Sequence, residues 1–440
     1  MARAKKEAAL TPEERFQAAL VPDWEWPYKL PENWCWTYLG VVSEIVMGQS
    51  PAGKSTTNDS SYMPLIGGAA DMGELYPQVS RFTKTPTKQS QTDDVILSIR
   101  ATLGRPIFSD GIYCLGRGVV AFRSSIVTKE FLRYFFIDQE NYLYQNATGT
   151  TFAQVDSKTL KSMPFPLPPF HEQRRIVRRV ESLFTKLDEA KEKAQAVVDS
   201  FEIRKAAILH KAFTGELTAK WREEHGVSID NWKTTRFDSV AAIRSNLVDP
   251  AEYQSFPHIA PDNIEKKTGV LLEYHTIAED GVTSGKHRFY SGQILYSKIR
   301  PYLSKAVVVD FDGLCSADMY PIEAYQNARC LWYYMLSDEF LLQASTAGSR
   351  SVLPKINQKE LSALTVHLPT NDREQEEIAR ILDELFDKEQ QTKEAAEIVL
   401  DQIELMKKSI LARAFRGELG TNDPSEESAV ELLKRGLEKK

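Results

Sequence analysis

The stretch that decides the fold ends a long helical pattern, and the chain contains it twice. The first copy reads Ile208-Leu209-His210-Lys211-Ala212-Phe213-Thr214-Gly215-Glu216-Leu217, and the second reads Ile410-Leu411-Ala412-Arg413-Ala414-Phe415-Arg416-Gly417-Glu418-Leu419. A second pair, Leu183-Phe184-Thr185-Lys186 and Leu385-Phe386-Asp387-Lys388, has the same offset of 202 residues (385 − 183 and 410 − 208). Solenoid repeats have periods of roughly 20–50 residues, so this offset indicates duplication of a whole domain with its helix. A duplicated chain can fold with internal pseudo-two-fold symmetry, which suits a target with two halves such as duplex DNA.

Apolar residues recur at alternating steps of four and three along the segment that precedes each copy of this motif. The first set is Ile176, Val180, Leu183, Leu187, Ala190, Ala194, Val197 and Phe201, and the second is Ile378, Leu382, Leu385, Ala396, Val399, Ile403, Met406 and Ile410. This spacing predicts a coiled-coil seam, which Glu389 and Thr392 interrupt in the second helix. Two amphipathic helices packed on separate domains are the alternative. Two matched helices of about 40 residues, roughly 60 Å long each, favour packing on each other.

The segments before the helices predict an α/β (α+β) fold, since short strand-like runs alternate with short helices. The runs 95–100 and 293–300 follow turns at equivalent places, and 130–135 and 330–335 are aromatic-rich helices in both copies. Two similar α/β (α+β) domains should therefore each be followed by a long helix. The expected boundaries are 1–29 for an N-terminal segment, 30–168 and 226–369 for the domains, 169–225 and 370–420 for the helical regions, and 421–440 for a mostly solvated tail with one short helix after Asp423-Pro424.

Composition is that of an ordinary globular protein, with 440 residues, 42% hydrophobic and 26% charged. No apolar stretch has the length of a membrane span, and Met1 to Glu7 lacks the apolar core of a signal peptide. The four cysteines have no metal-binding spacing, which predicts reduced thiols and a cytoplasmic location. The net charge of −6 argues against nucleic acid. However, much of the negative excess lies between residues 372 and 418, on the second helix, so the objection is weakened.

Two motifs suggest catalysis without completing it. Gly48 to Ser55 matches the phosphate-loop pattern G-x-x-x-x-G-K-[ST], but the following Thr56 to Tyr62 are poor helix formers, and such a loop must open a helix. Leu167-Pro168-Pro169-Phe170 resembles the [ND]-P-P-[FY] motif of adenine methyltransferases, with leucine where the polar residue is essential. The seven histidines have no zinc spacing. The sequence therefore predicts no catalytic and no metal site, and a nucleotide-dependent enzyme using Gly48 to Ser55 is the runner-up.

Basic residues interleaved with aromatic and hydroxyl side chains occur on predicted loops and strand ends in both copies. Such residues suit phosphate contacts and guanine edges, although a run of surface charge is more often only a solvated face. The candidates for nucleic-acid binding are Arg81, Lys84, Arg100 and Arg105 in the first copy, and Lys286, Arg288, Lys298, Arg300 and Tyr302 in the second.

The order of these motifs, present twice, resembles the specificity subunit of type I restriction–modification enzymes. The likeness covers almost the whole chain. It rests on Leu30-Pro31-Glu32-Asn33-Trp34, Gly48-Gln49-Ser50-Pro51, Ile99-Arg100-Ala101-Thr102-Leu103-Gly104, Lys298-Ile299-Arg300-Pro301-Tyr302-Leu303, Glu172-Gln173 before Ile176, Glu374-Gln375 before Ile378, and the two helix endings.

The resemblance implies two target-recognition domains, each reading one half of a bipartite site in double-stranded DNA. It also implies that the two long helices form an antiparallel coiled coil, which fixes the distance between the domains. It also implies that this chain is not catalytic. Adenine methylation would come from two modification subunits that use S-adenosylmethionine, and cleavage from restriction subunits that use ATP and magnesium. A coiled-coil scaffold that never touches DNA is a third possibility.

Overall fold

The computed structural model describes residues 11–149, 152–347 and 354–438 and divides the chain into two compact units. Unit 1 comprises Met1–Lys193 together with Val399–Lys440, and unit 2 comprises Ala194–Ile398. Residues 1–10, the first part of the predicted N-terminal segment 1–29, and residues 439–440 of the tail lie outside the described ranges. Unit 1 is therefore built from two separate stretches of sequence.

Unit 1 contains a four-stranded sheet of order β2-β10-β7-β8, a five-stranded sheet of order β3-β5-β4-β9-β6, and the antiparallel pair β1-β11. In the five-stranded sheet, β4 and β9 run parallel. The strands are β1 (Cys35–Tyr38), β2 (Glu44–Met47), β3 (Thr56–Thr57), β4 (Met63–Ile66), β5 (Phe82–Thr83), β6 (Lys88–Gln89), β7 (Val95–Arg100), β8 (Thr102–Phe108), β9 (Cys114–Leu115), β10 (Val119–Arg123) and β11 (Pro164–Leu167).

The helices of unit 1 supply much of its hydrophobic core. They are α1 (Pro12–Ala19), α2 (Leu39–Val42), α3 (Lys129–Asp138), α4 (Glu140–Gln145), α5 (Ser157–Lys161) and the long α6 (Phe170–Asp199), whose last residues lie in unit 2. Helix α3 begins where the Thr128 hydroxyl accepts a hydrogen bond from the Phe131 amide, a typical N-cap. Its aromatic face packs on strand β11, where the ring centres of Phe135 and Phe165 are 4.7 Å apart in an edge-to-face arrangement.

Unit 2 has the same plan, with a four-stranded sheet of order β13-β21-β18-β19, a five-stranded sheet of order β14-β17-β20-β15-β16 and the pair β12-β22. Again one pair, β15 and β20, is parallel. The strands are β12 (Trp232–Arg236), β13 (Ala241–Ile243), β14 (Leu247–Val248), β15 (Pro257–Ile259), β16 (His275–Thr276), β17 (Lys286–Phe289), β18 (Ile294–Ser297), β19 (Ala306–Val308), β20 (Gly313–Cys315), β21 (Met319–Ala324) and β22 (Thr365–Pro369). The prediction of two similar domains of mixed α/β type is confirmed.

Among the described residues, six further helices lie in unit 2, a seventh crosses into unit 1, and the last lies in unit 1. They are α7 (Phe201–Phe213), α8 (Ala219–His225), α9 (Ile277–Asp280), α10 (Ala328–Met335), α11 (Asp338–Ala347), α12 (Gln358–Ala363), α13 (Asp372–Phe415), which crosses, and α14 (Ala429–Glu438). No helix in the described ranges is both long and apolar enough to span a lipid bilayer.

The interruption that the sequence placed in the second long helix lies in the first instead. Helix α13 continues through Glu389 and Thr392, whereas Ser200 separates α6 from α7. The Glu389 carboxylate accepts from Nε of Arg204 at 2.7 Å, and the same guanidinium donates to the Val197 carbonyl beside the break. The charged residue in the seam is therefore paired with a residue of the other helix.

Within each unit, segments of the two long helices run antiparallel. In unit 1, Lys407 contacts Asp188 and Lys191 pairs with Glu404 at 2.6 Å, so residue numbers rise on one helix as they fall on the other. In unit 2, Arg204 pairs with Glu389, and Nζ of Lys393 lies 5.0 Å from the centre of the Phe201 ring. The antiparallel pairing of the two long helices, which the resemblance implies, is confirmed on this basis.

The predicted seam residues differ in burial. Ile176, Val180, Phe201, Ile378, Leu382 and Ile403 are buried, and Leu183, Leu187, Val197 and Leu385 are partly buried. Val399 and Met406 are instead exposed, at 39% and 49%, so their assignment to the seam is corrected. The reason is that Ala396, Ile403 and Lys407 face inward on α13, with Nζ of Lys407 over the Phe184 ring at 5.3 Å.

Each unit is closed by the helix ending that comes from the other half of the sequence. Leu411, Ala414 and Phe415 lie in the core of unit 1, where the Phe415 ring is 5.0 Å from that of Phe131. Leu209, Ala212 and Phe213 lie in the core of unit 2. The duplicated motif quoted first is thus the element that completes each hydrophobic core.

At the start of each long helix, a buried carboxylate accepts hydrogen bonds from a residue that follows one of these helix endings. In unit 1, Glu172 accepts from the Thr421 hydroxyl at 2.6 Å and from Arg175, which also binds Glu426. Burial raises the pKa of Glu172, while these donors favour its charged form. The network ties the tail to the base of α6.

In unit 2 the corresponding carboxylate is Glu374. Its Oε1 accepts from the Thr218 hydroxyl at 2.8 Å, from Arg222 at 2.8 Å and from the Trp232 indole at 3.0 Å. Glu374 is fully buried, and the Arg222 side chain is only 11% exposed. A charge removed from water in this way depends on its partners.

The tail holds the short helix that was predicted, but it is less solvated than expected. In α14, Ala429, Leu432 and Leu433 are buried in the core of unit 1, and the Ala429 amide donates to the Asn33 carbonyl at 2.9 Å. A strongly one-sided apolar pattern within ten residues explains the docking, since it gives the short helix a face to bury.

Candidate nucleic-acid interface

One of the two inner strands of each four-stranded sheet leads into a backbone turn that contains residues in the left-handed conformation. After β7, Ala101 has φ 65°, and after β18, Arg300 has φ 48°. Both amides donate to a neighbouring segment, Ala101 to the Ala153 carbonyl at 2.9 Å and Arg300 to the Pro354 carbonyl at 2.8 Å. Non-glycine residues rarely adopt this conformation, which costs of order 1–3 kcal/mol and clusters at functional sites. The same strained turn therefore presents Arg100 in unit 1 and Arg300 in unit 2.

Four residues later, each unit has a second residue in the left-handed conformation, Arg105 at φ 54° in unit 1 and Ser304 at φ 45° in unit 2. The Arg105 guanidinium donates to the carbonyls of Ala69 and Met72 at 3.4 and 3.3 Å. In unit 2 the neighbouring Lys305 donates to the Pro261 carbonyl at 2.7 Å. Each unit therefore uses a basic side chain to hold the loop that follows the first strand of its parallel pair, and Arg105 is an anchor as well as a candidate.

Arg81 is also engaged by that loop in unit 1. Its guanidinium pairs with the Asp71 carboxylate at 2.7 Å, and this nearly buried carboxylate accepts from the Gly67 amide at 2.7 Å. The Arg81 side chain remains 46% exposed. Lys84 is exposed, with Nζ 5.2 Å from the centre of the Tyr62 ring. Unit 1 thus brings Arg81 and Arg105 together on residues 67–72.

One arginine that the sequence interpretation missed lies on the adjacent turn. Arg117 is exposed between two glycines, and its amide and Nε both donate to the Ser50 hydroxyl at 3.3 Å. The only signal in the sequence is the triplet Gly116-Arg117-Gly118, which is too short to indicate a contact residue.

The phosphate-loop pattern does not form a phosphate loop. Gly53–Ser55 is a single 3₁₀ turn followed by strand β3, so the amides that a helix N-terminus would provide are not assembled. A Cβ on Gly48 would lie 2.0 Å from the Gly116 carbonyl oxygen. Gly48 therefore permits close approach of two backbones, and the nucleotide-dependent alternative is not supported.

In unit 2, Lys298 and Arg300 follow the end of strand β18, and Tyr302 lies in the 3₁₀ turn that comes next. Nζ of Lys298 is 4.0 Å from the Asp318 carboxylate, which also pairs with Lys355 at 3.2 Å, and it lies over the Tyr320 ring. Arg300 is exposed, and Tyr302 is 46% exposed. Two lysines share one carboxylate, so this surface keeps a net positive charge.

Lys286 and Arg288 are held against their own unit. Lys286 is only 6% exposed, and its amine donates to the carbonyl and hydroxyl of Ser284 at 2.9 and 2.7 Å. Burial lowers the pKa of this amine. The prediction that Lys286 offers its charge to a nucleic acid is corrected, because the residue is buried and its amine is already bound by Ser284.

The Arg288 guanidinium lies among three aromatic rings, 4.8 Å from the centre of Tyr290, 5.4 Å from Tyr253 and 5.9 Å from Phe256. Its Nε is buried without a hydrogen-bond partner among the described residues. Arginine stacked on aromatic rings keeps a fixed orientation. Within the described ranges, no group of three or more His, Cys, Asp or Glu side chains is placed to hold a metal ion.

Comparison with known proteins identifies a family whose sequence pattern matches most of this chain. The family described as type I restriction modification DNA specificity domain matches residues 31–198 and 229–399. The specificity subunit of the type I restriction enzyme EcoDI from Escherichia coli is 38% identical over 315 residues, which cover 67% of this chain and 71% of that protein. The EcoKI specificity subunit from Escherichia coli strain K12 is 23% identical over 408 residues, 81% of this chain and 82% of that protein.

Solved structures show the same fold. The HsdS subunit from Thermoanaerobacter tengcongensis superposes with a TM-score of 0.61 and 20% identity, over 90% of this chain and 99% of that chain. A chain solved to explain complex assembly and conformational transition of the type I R–M system has a TM-score of 0.66 and 20% identity, over 89% and 100% of the two chains.

Proposed function

Because the chain belongs to the type I restriction–modification DNA specificity family, we propose that it selects the DNA sequence on which such an enzyme acts. Each recognition domain, 30–168 or 226–369, reads one half of a bipartite double-stranded site. The observation that carries this assignment is that each unit repeats one family domain and one strained strand end with an exposed arginine, Arg100 or Arg300. Two similar but non-identical readers suit a target with two different halves.

The proposal includes the partners. Two modification subunits with S-adenosylmethionine would methylate adenine, restriction subunits with ATP and magnesium would cleave, and the long helices would dock the modification subunits and set the spacer. Two features support a non-catalytic chain. Leu167 is a fully buried strand residue that offers no side-chain acceptor to a flipped base, and Gly53–Ser55 leads into a strand. The complex would work in the cytoplasm, where the four buried free thiols stay reduced.

We expect co-expression of this chain with its modification subunits, in a host that lacks other adenine methylation, to give N6-methyladenine at a bipartite sequence. The purified chain alone should neither methylate DNA nor hydrolyse ATP. Sequencing that detects methylated bases measures the first result, and phosphate release measures the second. ATP turnover by the isolated chain that Lys54→Ala abolishes would favour the nucleotide-dependent alternative, and methylation at an undivided site would contradict two reading domains.

Arg300→Ala is expected to weaken DNA binding by the assembled methyltransferase. Loss of a base contact should cost about 1–3 kcal/mol and relax one half-site, whereas loss of a phosphate contact should weaken all sequences and reduce the salt slope by about 1. Lys286→Met is the matched control, because the Lys286 amine is already bound by Ser284, and its salt slope should equal that of the wild type. Unchanged affinity and specificity in Arg300→Ala would remove this residue from the interface.

A further inference from the structure

The turn that carries Arg117 lies where the parallel strands of unit 1 end. Strand β4 ends at Ile66 and β9 at Leu115, and the two residues are paired in register. The loops that follow them therefore emerge at the same edge of the sheet. Loops at such an edge are a common place for ligand contacts, since a rigid sheet positions them.

The backbone of this turn has almost no freedom. A Cβ on Gly116 would lie 2.9 Å from the Gly67 Cα, one on Gly118 would lie 2.4 Å from the Gly67 carbonyl oxygen, and one on Gly48 would meet the Gly116 carbonyl. Hydrogen bonds join Gly116 to the Ile66 carbonyl at 2.8 Å and Ile99 to the Gly118 carbonyl at 2.9 Å. Three backbones thus pack directly on one another and fix residue 117 in place.

The Arg117 side chain is oriented as well as placed. The Ser50 hydroxyl accepts from both its amide and its Nε. Neither terminal nitrogen of the guanidinium has a hydrogen-bond or ion-pair partner among the described residues, and the residue is exposed. An arginine whose Nε is already held presents its two terminal nitrogens as a planar pair of donors.

Unit 2 contains the same turn without the arginine. The Ser316 amide donates to the Ile259 carbonyl at 2.8 Å, as the Gly116 amide does to the Ile66 carbonyl. The Lys298 backbone amide donates to the Asp318 carbonyl at 3.0 Å, as the Ile99 amide does to the Gly118 carbonyl. Between Ser316 and Asp318, the position that corresponds to Arg117 is occupied by Ala317. The fold therefore requires the turn but not an arginine in it, so Arg117 serves something that differs between the two units.

We propose that Arg117 is a specificity-determining residue, which reads a guanine in the half-site bound by unit 1 by donating to its O6 and N7 atoms. This inference rests on the proposed function. Two parallel donors match the two acceptors that guanine alone displays side by side in the major groove, and arginine supplies this contact more often than any other side chain. Ser50 is its positioning residue, because the Ser50 hydroxyl accepts from Nε of Arg117 and leaves the two terminal nitrogens free to donate.

A phosphate contact is the competing role for the same side chain, and the dependence on sequence separates the two. Loss of a phosphate contact weakens all sequences alike, whereas loss of a guanine contact affects recognition at one base pair. The test therefore uses Arg117→Ala and Arg117→Lys in the assembled methyltransferase, with Ala317 as the reason to expect that Arg117→Ala folds. Thermal unfolding of each variant checks that expectation.

The measurements are the methylated sequence in cells and the dissociation constant for duplexes with the wild-type site. Arg117→Ala should bind the cognate duplex roughly 5- to 100-fold more weakly and should accept other bases at one G·C position in one half-site. Arg117→Lys keeps the charge but not the planar fork, so it should be affected less at the same position. Replacing that guanine by 7-deazaguanine, which lacks the N7 acceptor, should weaken the wild type but not Arg117→Ala. Ser50→Ala should relax the same position less.

Uniform weakening of Arg117→Ala across sequences, with a smaller salt slope, would overturn the proposal in favour of a phosphate contact. Unchanged recognition in Arg117→Ala, or relaxation in both half-sites, would also overturn it. These results differ from failure of the proposed function, in which the wild-type complex itself would show no bipartite methylation.

Discussion

Insertion of seven residues into both long helices is expected to move methylation from the original site to one whose spacer is about three base pairs longer. Seven helical residues add roughly 10.5 Å at 1.5 Å per residue, and duplex DNA rises 3.4 Å per base pair. A heptad also keeps the alternation of the seam. The insertion points are between residues 193 and 194 in α6 and between 398 and 399 in α13, where the two units meet in sequence.

These positions leave the pairs inside each unit intact, Lys191 with Glu404 in unit 1 and Arg204 with Glu389 in unit 2. They also avoid the segment between Gly215 and Trp221, which is not a simple helical link because Thr218 binds Glu374 there. Three base pairs rotate one half-site by roughly 105° around the duplex, so the lengthened site should be methylated more slowly while both half-sites keep their sequences.

Mapping of methylated adenines measures the spacer directly. The control is the same heptad in α6 alone, which should abolish the activity because the helix partners lose their register. Retention of the original spacer by the double insertion, or a change in the half-sites, would show that the helices do not determine the distance.

Arg222→Ala is expected to lower the free energy of unfolding by about 3–5 kcal/mol, the usual cost of leaving a buried charge without its partner. Glu374 is fully buried and would keep only the Thr218 hydroxyl and the Trp232 indole. Its Oε2 has no partner among the described residues, so it gains no compensation there. Chemical denaturation followed by tryptophan fluorescence measures the change, since Trp232 is in contact with the network.

The matched control is Lys220→Ala on the same helix. Lys220 is 87% exposed and lies 3.6 Å from Glu224, so its loss should change stability by no more than about 1 kcal/mol. A double variant, Arg222→Met with Glu374→Gln, should recover part of the loss, because it removes both charges. Equal effects of Arg222→Ala and Lys220→Ala would contradict a structural role for the network.

The repeat and the helical spacing allowed the overall plan to be predicted, because both are written in the order of residues. The Ile-Leu, Ala-Phe and Gly-Glu-Leu endings predicted matched helices, and the structure contains them. The exposed positions of Val399 and Met406 could not be predicted in the same way. The Arg204–Glu389 pair and the inward Lys407 decide which face of α13 is buried, and neither contact is visible along one helix.

The candidate site was predictable only in part, since an exposed charge and a charge turned inward look alike in a sequence. Lys286 lies in a basic run but is bound by Ser284. Arg117 stands alone between glycines, yet its guanidinium is held at Nε and presented outward. The left-handed turns at Ala101 and Arg300 leave no sequence signature either, because neither residue type favours that conformation. These features depend on contacts between distant segments.

The discontinuity of unit 1 has a consequence for how the protein is made. Unit 2 is a single stretch, 194–398, whereas the core of unit 1 includes Phe415 and Leu433. Domains usually fold in the order in which they leave the ribosome. Here the later unit can reach its native state while the earlier one still lacks part of its interior, so residues 11–193, which are translated before unit 2, belong to the domain that matures after it. An incomplete chain would therefore carry one finished reader and one unfinished one.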